Sequence, residues 1–377
     1  MGARLSLGLF IAPLHEATAI GIAGISFALA INQLVWGAAQ PLWGALADRY
    51  GTRAVIAAGA LLTCAGMALT PYVRSETMLV LALGVLAAAG AAASSFSILI
   101  GSIADRLPSA HRALASGIVN AGSSAGQFLF APVLQLLIGG VGWVATLLLV
   151  AASALATIPL AAPLERHAPA PHAEALGLGP QLRVAFGDPN YLLLHLGFFT
   201  CGFHIAFLVT HLPGQVQMCG LGAQVSANSL ALIGLFNIMG SIAAGAACQR
   251  WRMKFVLAAM YASRTVLILA FLAAPKTTLT FYVFAGALGA TWLATVPPTA
   301  GLVGKLFGTR HLATLFGLTL FSHQIGGFFG AWLGGVALLR FGDYSSMWYA
   351  DAALAAAAAI LNLPIREARL EPRPAAG

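Results

Sequence analysis

The chain has 377 residues, 59% of them hydrophobic and only 8% charged, with a formal net charge of +8. This balance, at a mean hydropathy of +0.88, excludes an ordinary soluble domain or a disordered segment and identifies a polytopic membrane protein. The positive charge needs no nucleic acid as partner, because the basic residues cluster on no single element.

Apolar runs of roughly 18 or more residues predict twelve spanning helices, at residues 1–14, 20–47, 54–71, 78–104, 113–138 and 143–164, then 191–213, 225–247, 255–274, 279–303, 312–339 and 346–363. Only about thirteen residues precede His15 and Glu16, where a span needs about 20. The first helix is therefore expected to be truncated at its cytoplasmic end, through a misplaced start or a short first helix. The stretch 165–190, containing APAPHAEALGLGP, is rich in Pro, Ala and Gly and reads as a cytoplasmic linker. The expected organisation is an N-terminal six-helix bundle over 1–164, the linker over 165–190, a C-terminal six-helix bundle over 191–364 and a cytoplasmic tail over 365–377.

With the amino terminus inside, fourteen of the nineteen Lys and Arg residues, from Arg49 and Arg53 through Lys305 to Arg373, fall in cytoplasmic loops or the tail. This is the positive-inside bias, and it places both termini in the cytoplasm. The four cysteines, Cys64, Cys201, Cys219 and Cys248, form no CxxC pair and imply neither a disulfide nor a metal site. No cofactor is expected. HEATA at His15 lacks the second His of a zinc helix, and no GxSxG or phosphate-binding loop occurs, so the chain reads as no enzyme.

The decapeptide GALADRYGTR at Gly44 to Arg53 returns in decayed form as GAACQRWRMK at Gly245 to Lys254, 201 positions later. Gly2, Arg4, Pro13, Gly117 and Gly126 likewise align with Gly202, His204, Pro213, Gly317 and Gly326 at an offset of 200. One half is a duplicate of the other. Two such halves, with the charged motif after helices 2 and 8, resemble the major facilitator superfamily of transporters, and the resemblance covers essentially the whole chain. It implies an all-α membrane fold of two pseudo-symmetric six-helix bundles. Gly44, Leu46, Ala47, Asp48, Arg49, Gly51 and Arg53 fit the superfamily's signature loop, and Thr52 departs from it.

In that family the loop latches the cytoplasmic side of the outward-facing state, so Gly44, Asp48, Arg49, Gly51 and Arg53 are the candidate conformational latch; a solvated positive-inside loop is the alternative. Gly44 is expected to let helices 2 and 11 approach. Gln249 stands where the second copy would need an acid. A finer resemblance, carried by GARLSLGLFIAPL, NQLVWGAAQPLWGALADRYG and FSHQIGGFFGAWLGG, is to the bacterial monocarboxylate and oxalate/formate porter group. It implies a small organic anion as substrate, a proton or counter-anion as coupling partner, and a monomer in a bacterial inner membrane.

Ionisable groups at membrane depth are costly and are default functional candidates: Arg4, His195, His204, His211, Arg264 and His323. No Asp or Glu is expected well inside a span, with Glu16 and Asp351 near span ends. Eukaryotic monocarboxylate carriers use an Asp and an Arg on helix 8, where this chain has Asn228 and Asn237. Without an acid beside it, Arg4 reads as the anchor of a substrate carboxylate, or else snorkels or pairs with helix carbonyls. His204, its counterpart on helix 7, reads as a donor to the other end of the anion, as the carrier of the coupling proton or as a hydrogen-bonded packing residue, and His323 with Gln324 sits on helix 11. Gln33, Trp36, Gln40 and Trp43 share a face of helix 2; Asn120, Ser123, Ser124 and Gln127 stripe helix 5 as ligand contacts or as interhelical glue.

The candidate substrate-binding set is thus Arg4, Trp36, Asn120, Gln127, His204, Asn237, Trp292, His323 and Gln324. Trp292, Thr295, Pro297 and Pro298 predict a broken tenth helix beside the cavity, and Arg264 on helix 9 reads as structural. The exporters' helix 5 signature is kept at Gly117 and Gly126 but broken at Phe130 and Ala131. Proton antiport of lipophilic compounds is therefore the alternative to anion transport, and a transporter-like sensor or scaffold the second.

Overall fold

The computed structural model describes residues 2–95, 98–99, 109–164, 178–307 and 312–367, without the side chains of Ala45, Asp48, Arg49, residues 109–118, Asn120, Leu178 and residues 312–313. Among the described residues every regular element is a helix. In chain order, α1 is a 3₁₀ stretch Arg4–Phe10 continued by Ile11–Thr18; α2 is Ile22–Tyr50; α3 is Thr52–Leu69. α4 runs from Glu76–Leu79 through a π-helical stretch Val80–Ala87 to Ala88–Ala92. α5 covers 109–141 and α6 143–155, parted at Gly142 with φ 85°. α7 is Pro189–Met218, α8 Ala223–Arg250 and α9 Met253–Ala273. α10 comes as Thr278–Gly289 and Val296–Phe307; α11 is Leu312–Phe341 and α12 Ser345–Asn362.

Local chemistry explains where these helices begin and end. Asp188 caps α7 by accepting the Asn190 N–H at 2.6 Å, with Pro189 at the first helical position, and Thr277 caps α10 by accepting from Thr280. Between α2 and α3 stands only Gly51, at φ 88° and ψ 149°, a backbone state that a Cβ disfavours. The signature loop is therefore one glycine wide. One expectation is corrected, and the linker stretch holds a helix of its own. α1 runs on to Thr18, past His15 and Glu16, and closes there because Thr18 Oγ1 donates to Leu14 O at 2.6 Å and His15 Nδ1 meets Ile20 O at 2.8 Å. The stretch taken as linker holds a nine-residue helix, Leu178–Phe186, and Phe186 packs on Tyr191 and His195 at ring distances of 5.6 Å.

Six of the described helices, among them α2, α3, α7, α8 and α9, are long and apolar enough to cross a membrane by length and composition. Others, α1, α4 and α10, change helix type or break within the span. The duplication is visible in the packing. A Cβ on Gly2 of α1 would overlap the Gly126 carbonyl of α5, and one on Gly202 of α7 would overlap the His323 carbonyl of α11. Helices 1 and 5 thus meet as 7 and 11 do, through small residues that let backbones touch.

The two halves meet along α1 with α7, α2 with α11 and α5 with α8. The end of the molecule carrying Gly51 is called the loop end here, and the opposite one the far end. At the far end α2 and α11 close on each other: Phe27 stacks edge-on against Phe328 at 6.1 Å and Trp332 at 5.8 Å, and Gly335 lies against Ser26.

Candidate functional site

Below that closure the halves diverge around a cavity of about 520 Å³, within the usual range of small-molecule sites. Its deepest wall holds Arg4, Gln33, Trp36 and Ile205, and it extends toward the loop end past Gln40, Ser123, Leu160 and Phe316. Apart from a few polar side chains the lining is apolar, with Leu5, Phe198, Leu293 and Leu320 prominent.

Arg4 is fixed from α2. Its Nε donates to Asn32 Oδ1 at 3.2 Å, a terminal nitrogen donates to Gln33 Oε1, and the guanidinium lies over the Trp36 ring at 4.3 Å from the centroid. Asn32 is itself held by donating to Leu83 O at 2.7 Å, a carbonyl in the π-helical stretch of α4, where helical pairing is shifted. Arg4 makes no ion pair among the described residues, so its charge has hydrogen bonds and a π-face but no anion. On the facing wall the Gln324 amide donates to His323 Nδ1 at 3.2 Å, and the His323 ring sits 4.9 Å from that of Phe198.

Of the candidate substrate-binding residues, Arg4, Trp36, His323 and Gln324 come together on the cavity wall, with Gln33, Gln40 and Ser123. Others stand apart from it. Asn237 is buried between the halves, donating to Ser124 Oγ at 2.7 Å and accepting from Leu293 N at 2.8 Å; it ties α8 to α5 and to the break in α10. Gln127 is buried beside Gly234 in the same seam. Trp43, on the predicted face of α2, turns away to donate to Ala89 O at 2.7 Å. The Asn120 side chain lies outside the described residues.

His204 and Trp292, also expected on the wall, lie inside the second half, in a polar knot. His204 Nδ1 meets Asp351 Oδ2 at 2.5 Å, and both residues are fully buried. This corrects the expectation that no carboxylate lies well inside a span. Asp351 is near the start of α12 in sequence, but α12 packs against the middles of α7 and α9. Arg264, also fully buried, donates to Thr291 O, to Trp292 O at 2.5 Å and to Cys201 Sγ at 3.3 Å. The predicted break in α10 is present at residues 290–295, and Arg264 accepts the task of satisfying its freed carbonyls. Cys201 Sγ also meets Thr295 Oγ1 at 3.3 Å.

Sequence reasoning missed Asn32, Asp351 and the far-end aromatics Phe27, Phe328 and Trp332. Asn32 is a polar residue in an apolar span, the same signal that singled out its neighbour Gln33, but it lies off the Gln33–Trp36–Gln40 face. In the latch, Gly51 makes the turn and Arg53 is exposed, while the Asp48 and Arg49 side chains lie outside the described residues. Among the described residues Gly44 meets no atom of α11: the nearest atom to a Cβ there is Ile98 Cδ1 at 3.9 Å, on the α4 side. The close approach of α2 to α11 is at Gly37, against the Gln324 side chain, because the helices are spread apart at the loop end by the cavity. Among the described residues no group of His, Cys, Asp and Glu is arranged to hold a metal.

Comparison with known proteins agrees with this architecture. Rat monocarboxylate transporter 13 is 28% identical over 381 residues, covering 96% of this chain and 85% of that protein. Mouse monocarboxylate transporter 11 is 29% identical over 361 residues, covering 92% and 79%. An uncharacterized MFS-type transporter of Bacillus subtilis, YcxA, is 25% identical over 349 residues, covering 88% and 83%. Among solved structures, a D-xylose-proton symporter superposes with a TM-score of 0.72 at 16% identity over 97% of this chain and 93% of that one, a likeness of fold alone. The model of the Major Facilitator Superfamily matches residues 1–331, and with an internal duplication and a cavity between the halves, this chain is a membrane transporter that belongs to that superfamily.

Proposed function

We propose that the protein is a secondary active transporter of a small organic anion of the monocarboxylate kind, working by alternating access and driven by a proton or counter-anion gradient. Residues 1–164 and 191–364 act as the two moving bundles, joined by the 165–190 linker, as a monomer in a bacterial inner membrane with both termini and the loop end in the cytoplasm. The observation that carries this reading is Arg4: a guanidinium on the cavity wall, oriented by Asn32, Gln33 and Trp36, with no carboxylate to pair it among the described residues. A half-buried cation at membrane depth without a counter-charge is costly, and a substrate carboxylate lowers that cost. The Trp36 Nε1–H has no partner among the described residues and offers a second donor beside it. Names of relatives at 28–29% identity favour a monocarboxylate.

Uptake of labelled lactate, pyruvate, oxalate and formate and of a lipophilic dye into proteoliposomes tests this. A carboxylate is expected to accumulate, Arg4→Ala to lose that accumulation and Arg4→Lys to recover only part, because an ammonium lacks the planar fork that binds Asn32, Gln33 and a carboxylate together. The apolar lining favours export of lipophilic compounds as the second reading; dye movement indifferent to Arg4→Ala would replace the first reading with it.

A further inference from the structure

The polar knot of the second half has no part in the anion cavity, yet it holds titratable groups where titration is most costly. His204 and Asp351 meet at 2.5 Å and are fully buried. With Nδ1–H donating to an ionised Asp351, Nε2 is a bare lone pair. Neither Nε2 nor Asp351 Oδ1 has a partner among the described residues. A buried polar atom without a partner is unfavourable, and these two atoms are the positions at which the pair can still take up a proton.

The groups that face the pair fix its charge. From α9 come Arg264, which interacts with Asp351, and Tyr261 beneath the Arg264 guanidinium at 5.3 Å. From α10 come Trp292, its ring 5.8 Å from that of His204, and Thr295. From α11 comes His323, next to Cys201. α7 itself adds Cys201 one turn before His204, on the same face, and His211 two turns after it, bonded to Ala331 O at 2.7 Å. Arg264 lies beside both Cys201 and Asp351, so a proton gained or lost at the pair changes the charge that this arginine meets.

The knot also touches the cavity at two points. His323 lines the cavity and is 8% exposed. The break in α10 presents Leu293 and Val296 to the cavity but Trp292 and Thr295 to the knot, so a shift of these few residues is felt on both sides.

We propose that the His204–Asp351 pair is a proton-carrying site and that it couples transport to proton movement. In the loading step one proton forms an N–H bond at His204 Nε2, giving an imidazolium paired with the Asp351 carboxylate. In the unloading step the same bond gives the proton up, and no bond of the substrate is made or broken. The coupling half of this inference rests on the anion-transport reading; the proton site does not.

Two measurements on the reconstituted full chain separate them. Infrared difference spectra between neutral and acidic pH are expected to show imidazole and carboxylate bands that titrate in the wild type and vanish in both His204→Gln and Asp351→Asn; bands that persist in both, or no titrating band in the wild type, overturn the site. Accumulation of labelled carboxylate under an inside-alkaline pH gradient is expected to be lost in both variants while exchange at equal pH is retained; accumulation that survives overturns the coupling. If the wild type moves no carboxylate, the anion reading and the coupling fall and the spectra alone decide the site. Should Asp351→Asn not fold, Asp351→Glu replaces it, with a displaced titration midpoint expected and an undisplaced one overturning the assignment.

Discussion

At the scale of single residues, the two arginines at membrane depth differ in what answers their charge. Arg4 has amide oxygens and an indole face, so its remaining demand is electrostatic and is open to a ligand. Arg264 has an internal carboxylate nearby, two backbone carbonyls and a thiol, and is part of the frame. Replacing Arg264 by Leu leaves the carbonyls of Thr291 and Trp292 without this donor, at about 1–3 kcal/mol each, and takes a positive charge from near Asp351. Thermal unfolding of the purified protein in detergent should show a marked fall in Tm for Arg264→Leu. Adding Asp351→Asn to that variant should restore part of the loss, since the orphaned charge is then gone; an additive double variant would mean that the two do not act on each other. Arg4→Leu should lower Tm much less than Arg264→Leu, because Arg4 is only half-buried on the cavity wall and has no ion pair among the described residues to break.

At the scale of elements, much was legible. The composition of each span, the repeated loop and the Pro297–Pro298 pair give the helices, the duplication and the break in α10, because each is a local property of the chain. Which face a helix turns to its neighbours is not local, and there the reading went astray. Trp43 shares a helical face with Gln33, Trp36 and Gln40, yet its indole finds a carbonyl on α4. Asp351 lies six residues into α12, a position that looks shallow until α12 is placed against α7 and α9. Close approaches are similarly hidden, since a glycine in a membrane helix carries no mark of its partner. Gly202→Ala should be strongly destabilising, as its Cβ would overlap the His323 backbone of α11 and backbone yields less readily than a side-chain end. Gly222→Ala, with nothing within 4 Å, is the control and should melt with the wild type. Equal Tm values for the two would show that α7 and α11 have slack between them.

For the whole molecule, one conformation is seen, closed at the far end through Phe27, Phe328 and Trp332 and hollow toward the loop end. The proposed alternating access requires that this closure be only modestly favoured, so that the transported ligand can move the population. The closure depends on α2 and α11 meeting at Gly335 and Ser26, where any side chain on Gly335 would overlap Ser26. Gly335→Leu therefore adds an overpacking cost of about 1–3 kcal/mol to this state alone, which shifts the two-state ratio by about fivefold or more. Cysteine labelling in sealed vesicles reads the shift. On a background with the four native cysteines replaced, Ser123→Cys on the cavity wall should react with an aqueous thiol reagent from the loop end, and Phe27→Cys should be protected from the far end. Gly335→Leu should reverse both, slowing Ser123→Cys and exposing Phe27→Cys. If both sites keep their wild-type rates, the contact of α2 with α11 is not what holds the far end shut, and the balance between states must be set at the loop end, where Gly51 makes the turn of the signature motif.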